Sequence, residues 1–214
     1  MESIKFRSVC PQVFLHREDL VSDVWKQDVE FKKGKTYLVE ADSGQGKTTF
    51  CSYVIGYRHD YQGQILFDEQ NVSTYHVKDW VNVRRNHVSC LFQDLRLFPE
   101  LTAIENVEIK NQLTHHKSHE EIVRWFEMMG IADKLNTQVG LMSFGQQQRV
   151  AMMRALVQPF DFIIADEPIS HLDDTNSQLM SEILMEEAHR QGAGVIITSI
   201  GKRMEIPYDS IIKL

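Results

Sequence analysis

Residues 37 to 56 decide the fold: Tyr37-Leu38-Val39-Glu40-Ala41-Asp42-Ser43-Gly44-Gln45-Gly46-Lys47-Thr48-Thr49-Phe50-Cys51-Ser52-Tyr53-Val54-Ile55-Gly56. A short β-prone run, Thr36 to Val39, leads into a loop with two glycines. A helical stretch follows, with Cys51, Val54 and Ile55 on one face and Gly56 at its end. Glycines let successive backbone N–H groups turn inward, and the helix N-terminus adds the positive end of its dipole. That order therefore makes a phosphate cradle, with Asp42, Ser43, Gly44, Gln45, Gly46, Lys47, Thr48 and Thr49 as its expected contacts. Lys47 has the length to reach β- and γ-phosphates, and the Thr48 hydroxyl suits a magnesium ion. Ala41 stands where the G-x-x-x-x-G-K-[ST] pattern has its first glycine. That position ends the strand and carries no phosphate contact, so alanine is compatible with the cradle. The plain alternative for the stretch is a surface turn before a helix.

Length and composition bound what such a loop can serve. At 214 residues the chain is one domain, or one domain with a small subdomain, and it can bury a sizeable core. Its hydrophobic fraction of 43% and charged fraction of 25% are those of an ordinary globular protein. A net charge of −7 argues against a nucleic-acid surface, which needs clustered basic groups, so no nucleic-acid partner is expected. Cys10, Cys51 and Cys90 are odd in number and widely spaced, which fits reduced cysteines rather than a disulfide framework or a zinc site. No signal peptide is visible, and no run of eighteen apolar residues exists. Any membrane role is expected to come through a partner.

On either side of the loop the periodicity alternates between strand and helix. Residues 3 to 9 and Val29 to Phe31 read as strands, as does Gly63 to Asp68. His87 to Phe92 is a buried-strand candidate that cannot continue into Gln93-Asp94-Leu95-Arg96-Leu97-Phe98-Pro99. From Thr102 to Met129 the pattern turns helical, with capping-box spacings at Thr102/Glu105 and Ser118/Glu121. Gly145 to Val157 and Thr175 to Arg190 read as further helices. Phe160 to Ala165, Val195 to Thr198 and Ser210 to Ile212 read as buried strands. The predicted fold is α/β: a mostly parallel P-loop NTPase core, 1–92 and 146–214, with an N-terminal antiparallel β region. Residues 93–145 form an inserted helical subdomain.

A second element points at the same chemistry. Phe162-Ile163-Ile164-Ala165-Asp166-Glu167-Pro168 delivers two carboxylates to the C-terminal end of an apolar strand, where ligands sit in open α/β sheets. Asp166 is placed to hold magnesium opposite Thr48. Glu167 is placed to polarise a water for in-line attack on a γ-phosphate. The cluster His115, His116, His119 and Glu120 reads as a solvated turn rather than a metal site.

With these residues in view the chain resembles the ATP-binding cassette ATPases, the nucleotide-binding subunits of ABC transporters. The glycine loop is similar to the Walker A motif, and Ile163 to Glu167 to the Walker B. Met142-Ser143-Phe144-Gly145-Gln146-Gln147-Gln148-Arg149-Val150 resembles the L-S-G-G-Q signature, Ser170-His171-Leu172-Asp173 the D-loop, and Gln93 the Q-loop glutamine. The resemblance implies ATP and Mg2+ as cofactors, with Thr48, Gln93 and Asp166 around the metal and Glu167 and Gln93 in catalysis. It also implies a site shared by two subunits, ATP on Lys47, Thr48 and Asp166 of one being capped by Ser143, Gly145 and Gln146 of another. The dimer is of like or unlike chains. A transmembrane permease subunit is the implied partner, which puts the chain on the cytoplasmic face of the cell membrane. Leu95, Leu97, Phe98 and Leu101 are candidates for its docking groove, with core packing as the alternative.

Two positions depart from the pattern with consequences. Phe144 replaces a signature glycine. Ser199 replaces the switch histidine that bonds the γ-phosphate, so slow hydrolysis is expected. The family also places an aromatic against the adenine, and Phe14 is the expected residue, with Trp25 as the second choice. The stretch from Leu91 to Val107 is similar to the short ATPases of lipoprotein-release, macrolide-export and cell-division complexes. Two other readings stand beside the transporter ATPase: a cassette that binds ATP as a regulatory switch with little turnover, and a soluble ABC protein outside transport.

Overall fold

A computed structural model describes residues 1–42 and 44–214. Two sheets organise them. The first is antiparallel: β1 (Ser3–Pro11) lies between β2 (Asp28–Lys32) and β4 (Tyr61–Phe67), and the short β5 (Gln70–Asn71) closes the edge beyond β4. The second has the order β6-β7-β8-β3-β9 and is parallel throughout, built from β3 (Thr36–Glu40), β6 (Val88–Leu91), β7 (Phe162–Asp166), β8 (Gly194–Ser199) and β9 (Ser210–Lys213). This is the α/β P-loop architecture expected from the sequence, including the antiparallel N-terminal region.

The parallel sheet is covered on both faces, which is why β7 and β8 read as unbroken apolar runs: every residue of both is buried. On one side lies α1 (Lys47–Val54), where Phe50 and Val54 join Phe6 and Phe31 of the antiparallel sheet, and Trp25 from the turn before β2, in one aromatic-rich core. On the other side lie α5 (Phe144–Leu156) and α6 (Asp174–Gln191), together with α3 (Ala103–Asn111) and α4 (His119–Met128). Gly56 follows α1 at φ +68, and a Cβ there would lie 2.5 Å from the Trp80 ring on α2 (Val77–Asn82). The helix must therefore end in a glycine for two independent reasons.

Both capping boxes form. Thr102 and Glu105 start α3, and Ser118 and Glu121 start α4, each hydroxyl accepting from the N3 amide while the carboxylate accepts from the N-cap amide. Between those helices Lys117 reaches across to α6 and meets Glu187 at 2.7 Å, with both side chains buried. Leu95, a candidate groove residue, is only 7% exposed and packs in the core, and Leu95 and Arg96 both adopt left-handed backbone (φ +57 and +50). Phe98 is the member of that run left open, at 40%.

Candidate functional site at the ends of the central strands

Register places the site. Asp166 at the end of β7 pairs with Thr198 on β8, and Glu40 at the end of β3 pairs with Ser199. Three parallel strands thus finish at one level, beneath the loop that leads into α1.

That loop has the conformation a phosphate cradle needs. Gly44 and Gly46 sit at φ +80 and +100, where L-residues are strained. Gly46 is the N-cap of α1, and a Cβ on it would stand 3.1 Å from Phe14 and 3.3 Å from Trp25. The loop is braced from below, since the Trp25 indole N–H donates to the Gln45 carbonyl at 3.2 Å and Arg17 donates to the Gln45 side chain at 3.4 Å. The Gln45 amide also turns back onto the Asp42 carbonyl. Ser43, one of the expected contacts, lies outside the described residues. Thr49 is turned away from the loop and accepts from Arg58 at 2.9 Å.

The Lys47 side chain is buried, and its ammonium donates to the carbonyls of Ala41 and Asp42 at 3.2 and 3.3 Å. It lies 3.7 Å from the Glu167 carboxylate. The side chain at position 41 takes no part: its backbone N–H donates to the Ser199 carbonyl and its C=O accepts from Lys47. The alanine is therefore no obstacle to the loop.

Asp166 is buried, and burial pushes its carboxyl above the usual range, against the pull of hydrogen bonds from Thr198 and Thr48 and the charge of Lys47. Thr48 Oγ1 lies 3.3 Å from one Asp166 oxygen, and Thr198 donates to the other. A hydroxyl and a carboxylate at this spacing suit a small hard cation: adjacent oxygens on an octahedron with bonds of about 2.0–2.1 Å stand roughly 2.9 Å apart. A cation there would also offset the cost of burying Asp166 beside Glu167. Thr198 was not singled out from the sequence. Only its register beside Asp166 reveals it.

Glu167 leaves the strand at φ +50, a left-handed conformation costly for a non-glycine residue. Its amide donates to the Thr198 carbonyl at 3.1 Å, and the Ser170 hydroxyl donates to its carbonyl at 3.3 Å, so the turn is pinned on both sides. The Gln93 amide donates to its carboxylate at 3.2 Å. The structure therefore gathers Gln93, Lys47, Thr48, Asp166 and Glu167, which are 120 residues apart at the extremes, around one point.

Other expected residues fall elsewhere. Ser199 is buried, and its hydroxyl donates to the Lys202 carbonyl three residues on, turned onto its own loop rather than toward Glu167. Ser143 is the N-cap of α5: its hydroxyl accepts from the Gln146 amide, while the Gln146 side chain accepts from the Ser143 amide at 2.9 Å. Gly145 lies against Leu172, and Phe144, 44% exposed, meets His171 edge-on at 4.8 Å. Among the described residues none of Ser143, Gly145 and Gln146 bonds to the glycine loop of its own chain. The expectation for Phe14 needs correction. It closes a one-turn helix after β1, which rotates Phe14 inward to 8% exposure and Val13 outward to 67%. With Trp25 at 6.5 Å and the Arg17 guanidinium 5.4 Å over its ring, Phe14 braces the loop and has no free face for a purine. Trp25, 1% exposed, has none either.

Known proteins share this arrangement. The family model described as "ABC transporter" matches residues 26–170, more than half of the chain. The ABC transporter ATP-binding protein YclH of Bacillus subtilis is 34% identical over 87% of this chain and 83% of its own length. YtrE of the same organism is 30% identical over 92% of this chain and 90% of its own. The macrolide export ATP-binding/permease protein MacB of a Shewanella strain is 28% identical over 97% of this chain, which spans only 32% of MacB. Among solved structures, the dimeric ATP-binding cassette MJ0796 in a post-hydrolysis state with ADP and phosphate superposes with a TM-score of 0.78 at 25% identity, covering 92% of this chain and 87% of that one. The chain belongs to the ABC transporter family, as an ATP-binding and ATP-hydrolysing cassette.

Proposed function

We propose that the chain hydrolyses ATP with Mg2+ at a site completed by a second cassette, and that it drives a separate membrane protein. The observation that carries this reading is the convergence of Gln93, Lys47 and Asp166 on Glu167 beneath the glycine loop. The loop N–H groups, the α1 N-terminus and the Lys47 ammonium bind and neutralise the phosphates. Thr48 and Asp166 are the residues that would hold magnesium, which supplies charge stabilisation to the transferring phosphoryl group. Gln93 holds the Glu167 carboxylate through its amide. Glu167 accepts a proton from the water as its oxygen bonds the γ-phosphorus and the bond to the ADP oxygen breaks. Ser143, Gly145 and Gln146 of the second cassette cap the nucleotide, an assembly supported by the dimeric state of the MJ0796 structure and by the outward-facing start of α5.

A membrane partner is supported by MacB, whose name joins an ATP-binding part to a permease within one protein of which this chain matches a third. No helix among the described residues is long and apolar enough to cross a membrane. On this reading residues 93–145 form the helical subdomain that meets the partner on the cytoplasmic face, with Phe98 at the contact. Sedimentation of the Glu167→Gln chain tests the shared site. A shift from monomer to dimer on adding ATP is expected, and a monomer at saturating ATP overturns it.

A further inference from the structure

The loop that follows β8, residues 199–203, joins the end of β3, where the glycine loop begins, to the segment on which α5 rests. We infer that Lys202 is a positioning residue for the shared ATP site, holding residues 168–173 so that Ser143, Gly145 and Gln146 stand ready to cap the other cassette's nucleotide. The inference rests on the reading that two cassettes share each site. It adds the residue through which the loop beside one site reaches the surface that serves the other.

Two neighbouring cations on this loop take opposite partners. The Arg203 guanidinium donates to both Glu40 oxygens at 2.6 and 2.9 Å, and the Ala41 N–H donates to the Ser199 carbonyl at 3.3 Å. The loop is thereby fastened to the strand end that opens the phosphate cradle. The Lys202 ammonium instead donates to the Leu172 carbonyl at 2.7 Å and to Asp174 at 3.3 Å. Leu172 is buried beneath the first turn of α5, where a Cβ on Gly145 would stand 3.2 Å from its side chain. Its neighbour His171 meets the Phe144 ring edge-on. Gln148, one turn further along α5, donates to the Pro168 carbonyl at the other end of the same segment. A shift of the loop after β8 therefore passes through Lys202 to Leu172 and, by direct packing, to Gly145.

Stability gives little reason for a lysine at this place. Its pair with Asp174 is solvated, the two side chains being 43% and 100% exposed, and such pairs contribute little. α6 begins here, with Asp173 as its N-cap and Asp174 in its first turn. A helix N-terminus favours those anions and disfavours a cation. The contact that remains is the bond to the Leu172 carbonyl, to which no other group donates among the described residues. That bond sets where the backbone of residue 172 stands, and residue 172 is the support of Gly145.

The test uses the full chain carrying Glu167→Gln, so that ATP-driven dimerisation is read by sedimentation apart from turnover. Adding Lys202→Met is expected to raise the ATP concentration for half-maximal dimerisation at least tenfold. Binding of a fluorescent ATP analogue to the dilute monomer is expected to stay within twofold, a split that a general loss of structure would not produce. Lys202→Arg keeps a donor for the Leu172 carbonyl and is expected to dimerise within threefold of the Glu167→Gln chain. If that chain dimerises and the Lys202→Met form does so equally well, the inference fails while the shared site stands. If the Glu167→Gln chain itself stays monomeric, the shared site fails and the inference with it. Loss of monomer binding together with dimerisation in Lys202→Met, or no recovery with Lys202→Arg, identifies a folding role and also overturns it.

Discussion

The Gln93 side-chain amide donates to the Glu167 carboxylate at 3.2 Å. Gln93 lies just beyond the end of β6, on the way into the helical segment, and Glu167 at the strained turn after β7. One hydrogen bond therefore connects the candidate general base to the chain that leads toward α3 and α4. The Lys47 ammonium, 3.7 Å from the other Glu167 oxygen, ties the same carboxylate to the phosphate loop. Glu167 is held between the segment after β6 and the phosphate loop.

Removing the carboxylate tests its role directly. Glu167→Gln keeps the size and polar character of the side chain but cannot accept a proton. ATP affinity is expected to stay within about threefold, and phosphate release to fall at least a hundredfold. Equilibrium nucleotide binding and a phosphate-release assay measure the two quantities, and undiminished hydrolysis would remove Glu167 from the mechanism.

Thr198→Val isolates the second support of the metal-side carboxylate. The substitution is nearly isosteric, yet it deletes the hydroxyl that donates to the buried Asp166. A hydrogen bond to a charged buried group contributes about 1.5–3 kcal/mol, so the magnesium concentration for half-maximal turnover is expected to rise roughly tenfold or more. An unchanged magnesium dependence would show that Thr48 and Lys47 suffice to hold Asp166.

These two residues also show where sequence is informative. The glycine loop, the carboxylates at the end of β7 and both capping boxes are local patterns; both boxes form, and Gly44 and Gly46 lie at positive φ. Thr198 was invisible because its role arises from parallel register with Asp166, a pairing of strands 32 residues apart. Phe14 was misassigned because aromatic character does not say which of two neighbours a one-turn helix rotates outward. Leu95 was left open between groove and core, and it lies in the core at one of two consecutive non-glycine residues with positive φ, a rarity no pattern signals.

Ser199 gives a prediction in two directions. Because its hydroxyl serves the Lys202 carbonyl, Ser199→Ala is expected to leave turnover within about twofold and to cost about 1 kcal/mol of stability. Ser199→His introduces a longer side chain with a ring N–H able to reach a γ-phosphate, and faster turnover is expected. Steady-state rates with both variants settle the point, since an equal or lower rate for Ser199→His would mean that serine is no handicap here.

The Lys117–Glu187 pair carries a pH-dependent share of stability. Burial pushes the Glu187 carboxyl up, but hydrogen bonds from Arg190 and Lys117 outweigh it and hold the group below the ordinary carboxylate value. The unfolded state therefore takes up this proton first as pH falls. The stabilisation is full at neutral pH, declines below the unfolded value of about 4.3, and is gone once pH passes below the folded value. Lys117→Met removes one donor from the buried Glu187 carboxylate, which keeps those of Arg190 and Gln191, and is expected to cost about 2 kcal/mol at pH 7, a drop in Tm of about 4–8 °C for a chain of this size. Melting curves at pH 7 and pH 3 check both points: the gap between parent and Lys117→Met must narrow in acid, and a gap that stays constant would show that the pair contributes packing and not charge.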